Sequence, residues 1–265
     1  MNDTVLLERD GGVATLTLNR AAALNTLDEA MIEALIAHTS ALAADVSVRC
    51  VVIRGAGRHF MAGGDLNTFN SLLAMAPAER QLAFKALIAR VHAVIESLYR
   101  MPAPIVASVR GAVAGFGLSL MCACDLALAD DTAYFTSAYR NIGLTPDGGL
   151  TYALARIVGV RKAMEIVLLG ERFDGNEALR LGLVNRLVAA AELDAATSAL
   201  AQAIVEGPAR ALANGKRLVN RSLEASLSTQ LRAEMESFAA CAATADFAEG
   251  ISAFLGKHAP RFRGE

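Results

Sequence analysis

Residues 50–66 read CVVIRGAGRHFMAGGDL and residues 104–120 read PIVASVRGAVAGFGLSL, and these two stretches decide the fold. Each opens on a short apolar run, Cys50–Arg54 and Ile105–Val109, that fits a strand buried on both faces. Each then passes through glycines and small residues to a helix start. A chain built this way presents backbone N–H groups that no helix or sheet partner claims. Two such loops converging on one oxygen make an oxyanion hole, where amides stabilise negative charge as it develops. The alternative is that the glycines merely permit tight strand–helix turns.

Working outward, Val5–Arg9 and Val13–Asn19 alternate apolar and polar residues around Asp10-Gly11-Gly12, a hairpin signal. Asp28 is placed to cap a helix to about Ala43, with Met31, Leu35 and Leu42 on one face. Leu82, Leu87, Val91, Val94 and Leu98 fall near helical spacing and predict a helix over Ala78–Arg100. Leu126–Ala129 and Ala133–Thr136 read as further short strands. After Pro146 the chain turns helical, with candidates at Arg161–Leu169, Gly175–Leu181, Glu192–Val205, Ala209–Ser222 and Gln230–Ala243. Ser71–Glu79 has weak periodicity and is expected to be a mobile loop over a ligand. The strand–strand–helix rhythm fits stacked β-β-α turns. Pattern alone goes no further than mixed α and β with a helical C-terminus.

Composition narrows the class. A chain of 265 residues can bury one sizeable core. Its formal net charge is −2 and its Lys and Arg are scattered, so neither a nucleic acid nor a membrane surface is an expected partner. Hydrophobic residues make up 54%, yet no run reaches the ~18 apolar residues of a membrane span. The surplus is Ala and Leu in helical segments, which points to buried subunit interfaces. Cys50, Cys122, Cys124 and Cys241 have no metal-ligand spacing and read as buried free thiols; no metal site is expected. The N-terminal residues lack the basic and apolar regions of a signal peptide, and a reducing, cytoplasmic setting is expected. There is no Walker-type or dinucleotide glycine motif. Ser119, Thr136 and Ser137 lack a nearby His-Asp pattern that would make a nucleophile.

FMAGGDL at 60–66 resembles the AG(A/G)DL segment of the crotonase (enoyl-CoA hydratase/isomerase) superfamily. GAVAGFG at 111–117 with Cys124-Asp125 resembles its second segment. The likeness continues at Ala23–Leu27, Ile142–Gly149, Gly182–Asn185 and Asp246–Phe254, six motifs in order over nearly the whole chain. The resemblance implies an α/β, crotonase-like spiral of β-β-α turns with a C-terminal helical trimerisation region. It divides the chain into a spiral core with the acyl-CoA site at 1–200 and a helical region with oligomer contacts at 201–265. It implies an acyl-CoA thioester substrate, a homotrimer or dimer of trimers, and no separate cofactor, because coenzyme A is carried by the substrate.

By position, the resemblance makes the amides of Ala62 and Phe116 the donors to a thioester enolate. Phe116 stands where many relatives have glycine. Gly63, Gly64, Leu66 and Gly115 belong to the same two substrate loops. Asp65 reads more readily as a cap of the helix after Gly64 than as an acid. Ala23 and Leu24 match the segment lining the CoA adenine site, and Lys257 matches a basic position that approaches CoA from a neighbouring subunit. Ala21 and Ala22 replace the Pro and Lys often found before that segment.

Hydratases of the family use two glutamates, and Ser119 and Tyr139 occupy those positions here. A neutral hydroxyl is a poor general base at neutral pH. Asp147, in PDGG at 146–149, is the remaining carboxylate where relatives place one. An apolar pocket would raise its pKa towards the range useful for proton shuttling. A cap of the following helix is the other role open to it. Residues 139–147 and 155–166 also resemble aryl-CoA dehalogenases, which implies attack on a ring by Asp147, His92 as base and Tyr139 in place of a tryptophan. The favoured expectation is movement of a double bond, or a related proton transfer, on an acyl-CoA. Hydration, aryl dehalogenation and non-catalytic acyl-CoA binding are the alternatives. His38 and His59 are expected on the surface.

Overall fold

The computed structural model describes residues 3–264. Strand β1 (Val5–Asp10) and β2 (Val13–Leu18) pair antiparallel around a two-residue Gly11-Gly12 turn. From β2 onward the main sheet is parallel. It adds β3 (Cys50–Gly55), β4 (Ile105–Val109), β6 (Leu126–Asp130) and β9 (Arg186–Val188), in the order β1-β2-β3-β4-β6-β9. A smaller sheet joins β5 (Ala112–Ala114), β7 (Tyr134–Thr136) and β8 (Phe173–Asp174). Isolated parallel bridges extend it from Val113 to Met61, and pair Gly64 with Leu27.

The chain thus visits the main sheet, then the small sheet, then a helix, and repeats. One turn runs from β2 through Leu27 to helix α1 (Glu29–Ala44). The next runs from β3 through the Met61–Gly64 loop to α2 (Leu66–Leu72) and α3 (Pro77–Arg100). A third runs from β4 through β5 to α4 (Phe116–Cys122), and a fourth from β6 through β7 to α5 (Leu150–Ile157) and α6 (Gly159–Leu169). This is the crotonase spiral of β-β-α turns. The helical remainder is α7 (Gly175–Arg180), α8 (Leu193–Val205), α9 (Ala209–Ser222), α10 (Leu227–Ala242) and α11 (Ala245–Gly256).

The apolar strand runs follow from two-sided burial. Cys50, Val52, Val106 and Leu128 face α8 through Leu193 and Ala201. Their neighbours Val51, Ile53, Ile105, Ala107, Ala127 and Ala129 face the main core with Phe60, Met61 and Phe135. Close approach of successive turns requires Gly117, where a Cβ would stand 2.2 Å from the Met61 carbonyl oxygen.

Several boundaries differ from the sequence expectation. The segment 71–79 is mostly helical, and only residues 73–76 separate α2 from α3. Two- and three-residue strands, β5, β8 and β9, carry too few residues to show a period. His59 is half-buried, not a surface residue: its Nδ1 accepts the Ala112 N–H at 3.0 Å. His38 is half-buried too. Among the described residues no single helix is long and apolar enough to cross a membrane. The C-terminal helices leave large apolar side chains in solvent, including Phe238 at 75%, Phe254 at 82% and Leu255 at 76% exposure.

Candidate active site

The two glycine loops meet because their strands, β3 and β4, are neighbours in the parallel sheet. A Cβ on Gly63 would lie 3.4 Å from the Ala114 carbonyl oxygen and 3.7 Å from the Phe116 nitrogen. Beside this contact lies a cavity of about 220 Å³. Ala62, Gly63, Gly64, Leu66, Gly115, Phe116, Tyr139 and Asp147 all line it. Its apolar wall is Leu27, Ile32, Phe69, Leu87, Ile88, Val91 and Ile142.

Counting the backbone donors corrects one expectation. The Ala62 N–H donates to the Leu24 carbonyl at 3.1 Å, so this amide is already engaged. Leu27 N–H takes the Gly63 carbonyl at 2.8 Å, and Asp65 N–H donates to the Leu27 carbonyl at 3.0 Å. Among the described residues the Gly63 and Gly64 amides find no protein acceptor. The free donors of the first loop are therefore those two glycines, because the parallel bridge between Leu27 and Gly64 engages the Gly63 carbonyl and the Asp65 N–H, and the Leu24 carbonyl engages the Ala62 N–H. In the second loop Phe116 is the first residue of α4, and its amide is likewise unclaimed. Its side chain is 3% exposed and packs beneath Gly148, where a Cβ would lie 2.8 Å from the ring. That packing explains why the larger residue is accepted at this position.

Asp65 caps α2 by accepting the Asn67 N–H at 2.9 Å. Its carboxylate also meets Arg20 Nη2 at 2.8 Å, and that hydrogen bond holds its pKa below the usual carboxylate value despite burial. The same guanidinium reaches Asp28, the cap of α1, at 3.0 Å and the Thr26 carbonyl at 2.5 Å. One cation therefore ties the first substrate loop to the segment at Ala23 and Leu24. Asn25, fully buried, completes the tie by donating to the Ala56 and His59 carbonyls at 3.0 and 2.8 Å. Sequence reasoning missed both Arg20 and Asn25, since nothing in their spacing marks a side chain that bridges loops.

Asp147 does not cap a helix with its side chain. Gly149 is the N-cap of α5, and the Asp147 carbonyl accepts the Leu150 N–H at 3.1 Å. The carboxylate instead accepts the Tyr139 hydroxyl at 2.5 Å. Ser119 Oγ lies 3.0 Å from that hydroxyl and donates to the Asp147 carbonyl at 2.9 Å. Burial raises the Asp147 pKa; the Tyr139 hydrogen bond and the nearby His92 imidazole oppose it. Burial, followed by the Asp147 charge, pushes the Tyr139 phenol far up. Of the flanking apolar residues, Leu150 is buried, whereas Ile142 and Leu144 are exposed.

His92 is exposed and does not line the cavity; its Nε2 accepts the Gly148 N–H at a long 3.4 Å. Lys257 ends α11 in a left-handed conformation, is exposed, and does not line the cavity of this chain. Leu87 and Val91 were legible as one face of α3, but helical spacing does not distinguish a core wall from a cavity wall. Among the described residues no three His, Cys, Asp or Glu converge as a metal site. The arrangement offers unclaimed amides beside one carboxyl in an apolar recess. It can polarise a carbonyl and move a proton on an adjacent carbon.

Comparison with known proteins places this geometry. The enoyl-CoA hydratase/isomerase family profile matches residues 8–265. A protein of Escherichia coli named 1,2-epoxyphenylacetyl-CoA isomerase is 32% identical over 266 residues, the whole of both chains. The short-chain-enoyl-CoA hydratase of Clostridium acetobutylicum is 30% identical over 96% of this chain and 95% of its own. The crystal structure of an enoyl-CoA hydratase from Mycobacterium smegmatis superposes with a TM-score of 0.91, at 38% identity and 98% coverage of each chain.

Proposed function

The chain belongs to the enoyl-CoA hydratase/isomerase family, and on that premise we propose that it moves a proton between carbons of an acyl-CoA thioester. The favoured reaction carries a double bond from the 3- to the 2-enoyl position or rearranges a related acyl group. The thioester oxygen sits between the Gly63–Gly64 amides and the Phe116 amide. As the α-proton leaves, charge accumulates on that oxygen, and each donor is worth about 10²–10³ in rate. Ionised Asp147 takes the proton from C2, leaving a dienolate, and returns it to C4. The Tyr139 hydroxyl holds the carboxyl at the cavity wall.

One observation carries this reading: among the described residues Asp147 is the only carboxylate lining the cavity, and burial raises its pKa. Hydration by two carboxylates finds no second acid there, because Ser119 and Tyr139 occupy the glutamate positions. Relatives named as hydratases and a relative named 1,2-epoxyphenylacetyl-CoA isomerase both match along nearly their full length, so the preference for isomerisation rests on the cavity's residues and not on those names. The small volume favours a short or compact acyl group, below the ~300 Å³ of typical ligand pockets. Ala23 and Leu24, beside the first loop, meet the CoA arm. The exposed apolar faces of α10 and α11 pair with further copies in a trimer or dimer of trimers, where Lys257 can reach a neighbour's CoA.

The test is a panel of 2-enoyl, 3-enoyl and aryl-CoA esters, with products read by mass spectrometry and NMR. A 3-enoyl-CoA converted without change of mass supports the reading. Addition of water, loss of halide, or binding without product would each replace it.

A further inference from the structure

Asp147 belongs to a ring of three oxygen contacts. Its Oδ1 lies 2.5 Å from the Tyr139 hydroxyl, which lies 3.0 Å from Ser119 Oγ, which lies 2.9 Å from the Asp147 carbonyl oxygen. Asp147 and Tyr139 line the acyl cavity. Ser119 lines a different, rear cavity of about 480 Å³, which Asp125, Lys216, Tyr152 and Arg156 also line. Val219 and Leu223, which also line it, are 71% and 66% exposed, so the cavity is in contact with solvent. At ~30 Å³ per water it holds on the order of ten. We propose that Tyr139 and Ser119 form a two-hydroxyl proton wire that joins Asp147 to this rear cavity, so that the carboxyl can exchange its proton while an acyl group fills the front. The proposal rests on the shuttling role given to Asp147 above.

Counting hydrogens shows how the ring works. With Asp147 ionised, two hydroxyl hydrogens serve three contacts. Tyr139 donates to the carboxylate, Ser119 donates to the Asp147 carbonyl, and the Tyr139–Ser119 contact holds no hydrogen. With Asp147 protonated, three hydrogens serve three contacts: Asp147 donates to Tyr139, Tyr139 to Ser119, and Ser119 to the Asp147 carbonyl. The two states differ by the carboxyl proton and by rotation of the Tyr139 hydroxyl. To discharge, the Ser119 O–H turns to a water in the rear cavity. The Asp147 proton passes to Tyr139 Oη, the Tyr139 hydrogen to Ser119 Oγ, and the Ser119 hydrogen to that water. A carboxylate and a hydronium result, and the reverse sequence reloads the acid. The hydrogens move together, because the buried phenol resists ionisation and tyrosinate is not formed.

The wire predicts where solvent hydrogen enters the product. A 3-enoyl-CoA is turned over in D₂O, and deuterium at C4 of the product is counted by mass spectrometry and NMR. This ratio is taken per product molecule, so it does not depend on how much enzyme is folded. Most product from the native enzyme should carry a solvent deuterium, and most product from Ser119→Ala should carry the hydrogen removed from C2. Tyr139→Phe, which cuts the wire without opening space for a replacement water, should give the same retention at a lower rate. Native-level deuterium in the products of both variants overturns the wire alone. Failure of the native enzyme to isomerise any 3-enoyl-CoA, or native turnover by Asp147→Asn, overturns the reading beneath it and the wire together.

Discussion

Replacing Asp147 by Asn should remove activity and add stability. The structure fixes both signs. The substitution keeps the shape and the acceptor that Tyr139 uses, but it cannot take a proton. Loss of a general base costs about 10²–10⁴ in rate, so turnover should fall at least ~100-fold. Acyl-CoA affinity should hardly change, since binding rests on the loops and the CoA arm. The stability effect follows from linkage. Burial raises the Asp147 pKa in the fold, so the fold favours the neutral acid. Its favourable contribution is complete below the ordinary carboxylate pKa and is lost as pH rises through the raised value. Near pH 7 the ionised carboxylate is therefore a burden, of about 1.4 kcal/mol for each pH unit by which its ionisation is displaced upward. Asn carries no such burden. Thermal melts of both proteins across pH 4–8 should show the variant more stable at the alkaline end, with the gap closing as pH falls. The native pH–rate profile should lose activity on the acid side at a midpoint above the usual ~4 of an aspartate. A variant that turns over normally and melts lower at neutral pH would refute the reasoning and make Asp147 a structural residue.

Other consequences can be measured. Arg20→Met should cost about 2 kcal/mol, below the 3–5 of a fully buried pair because the side chains are partly exposed. Asp65 is held ionised by Arg20, so the difference from native should be largest at neutral pH and shrink as pH falls through its lowered pKa in urea titrations. Gly117→Ala forces a Cβ to within 2.2 Å of the Met61 carbonyl oxygen; at roughly 1–3 kcal/mol of overpacking it should lower Tm by about 2–12 °C in a thermal melt. Phe254→Asp places a charge on the most exposed aromatic of α11, and analytical ultracentrifugation should show a smaller species than the native protein.

The parallel strands were legible because burial on both faces leaves an uninterrupted apolar run, as at Cys50–Arg54. Asp28 and Asp65 were legible as caps because a short acceptor before a helical stretch has few other uses. The pairing of the two glycine loops was visible only through family resemblance, since contact between residues fifty apart leaves no local trace. The choice of amide within the first loop was not legible: the Leu27–Gly64 bridge and the Leu24 carbonyl decide it, and both are tertiary contacts. Tyr139 and Ser119 looked like losses of catalytic glutamates in the sequence. Their hydroxyls became partners of Asp147 only when α4 and the 3-10 turn at Tyr139–Ile142 came together.

The central claim is that this chain stabilises a thioester enolate and that Asp147 handles the proton. Exchange of the α-hydrogens of a saturated acyl-CoA in D₂O, followed by NMR, measures that step without requiring a finished product. The native protein should catalyse the exchange, and Asp147→Asn should leave only the uncatalysed background. An acyl-CoA that binds the native protein yet keeps its α-hydrogens at the background rate would contradict the account.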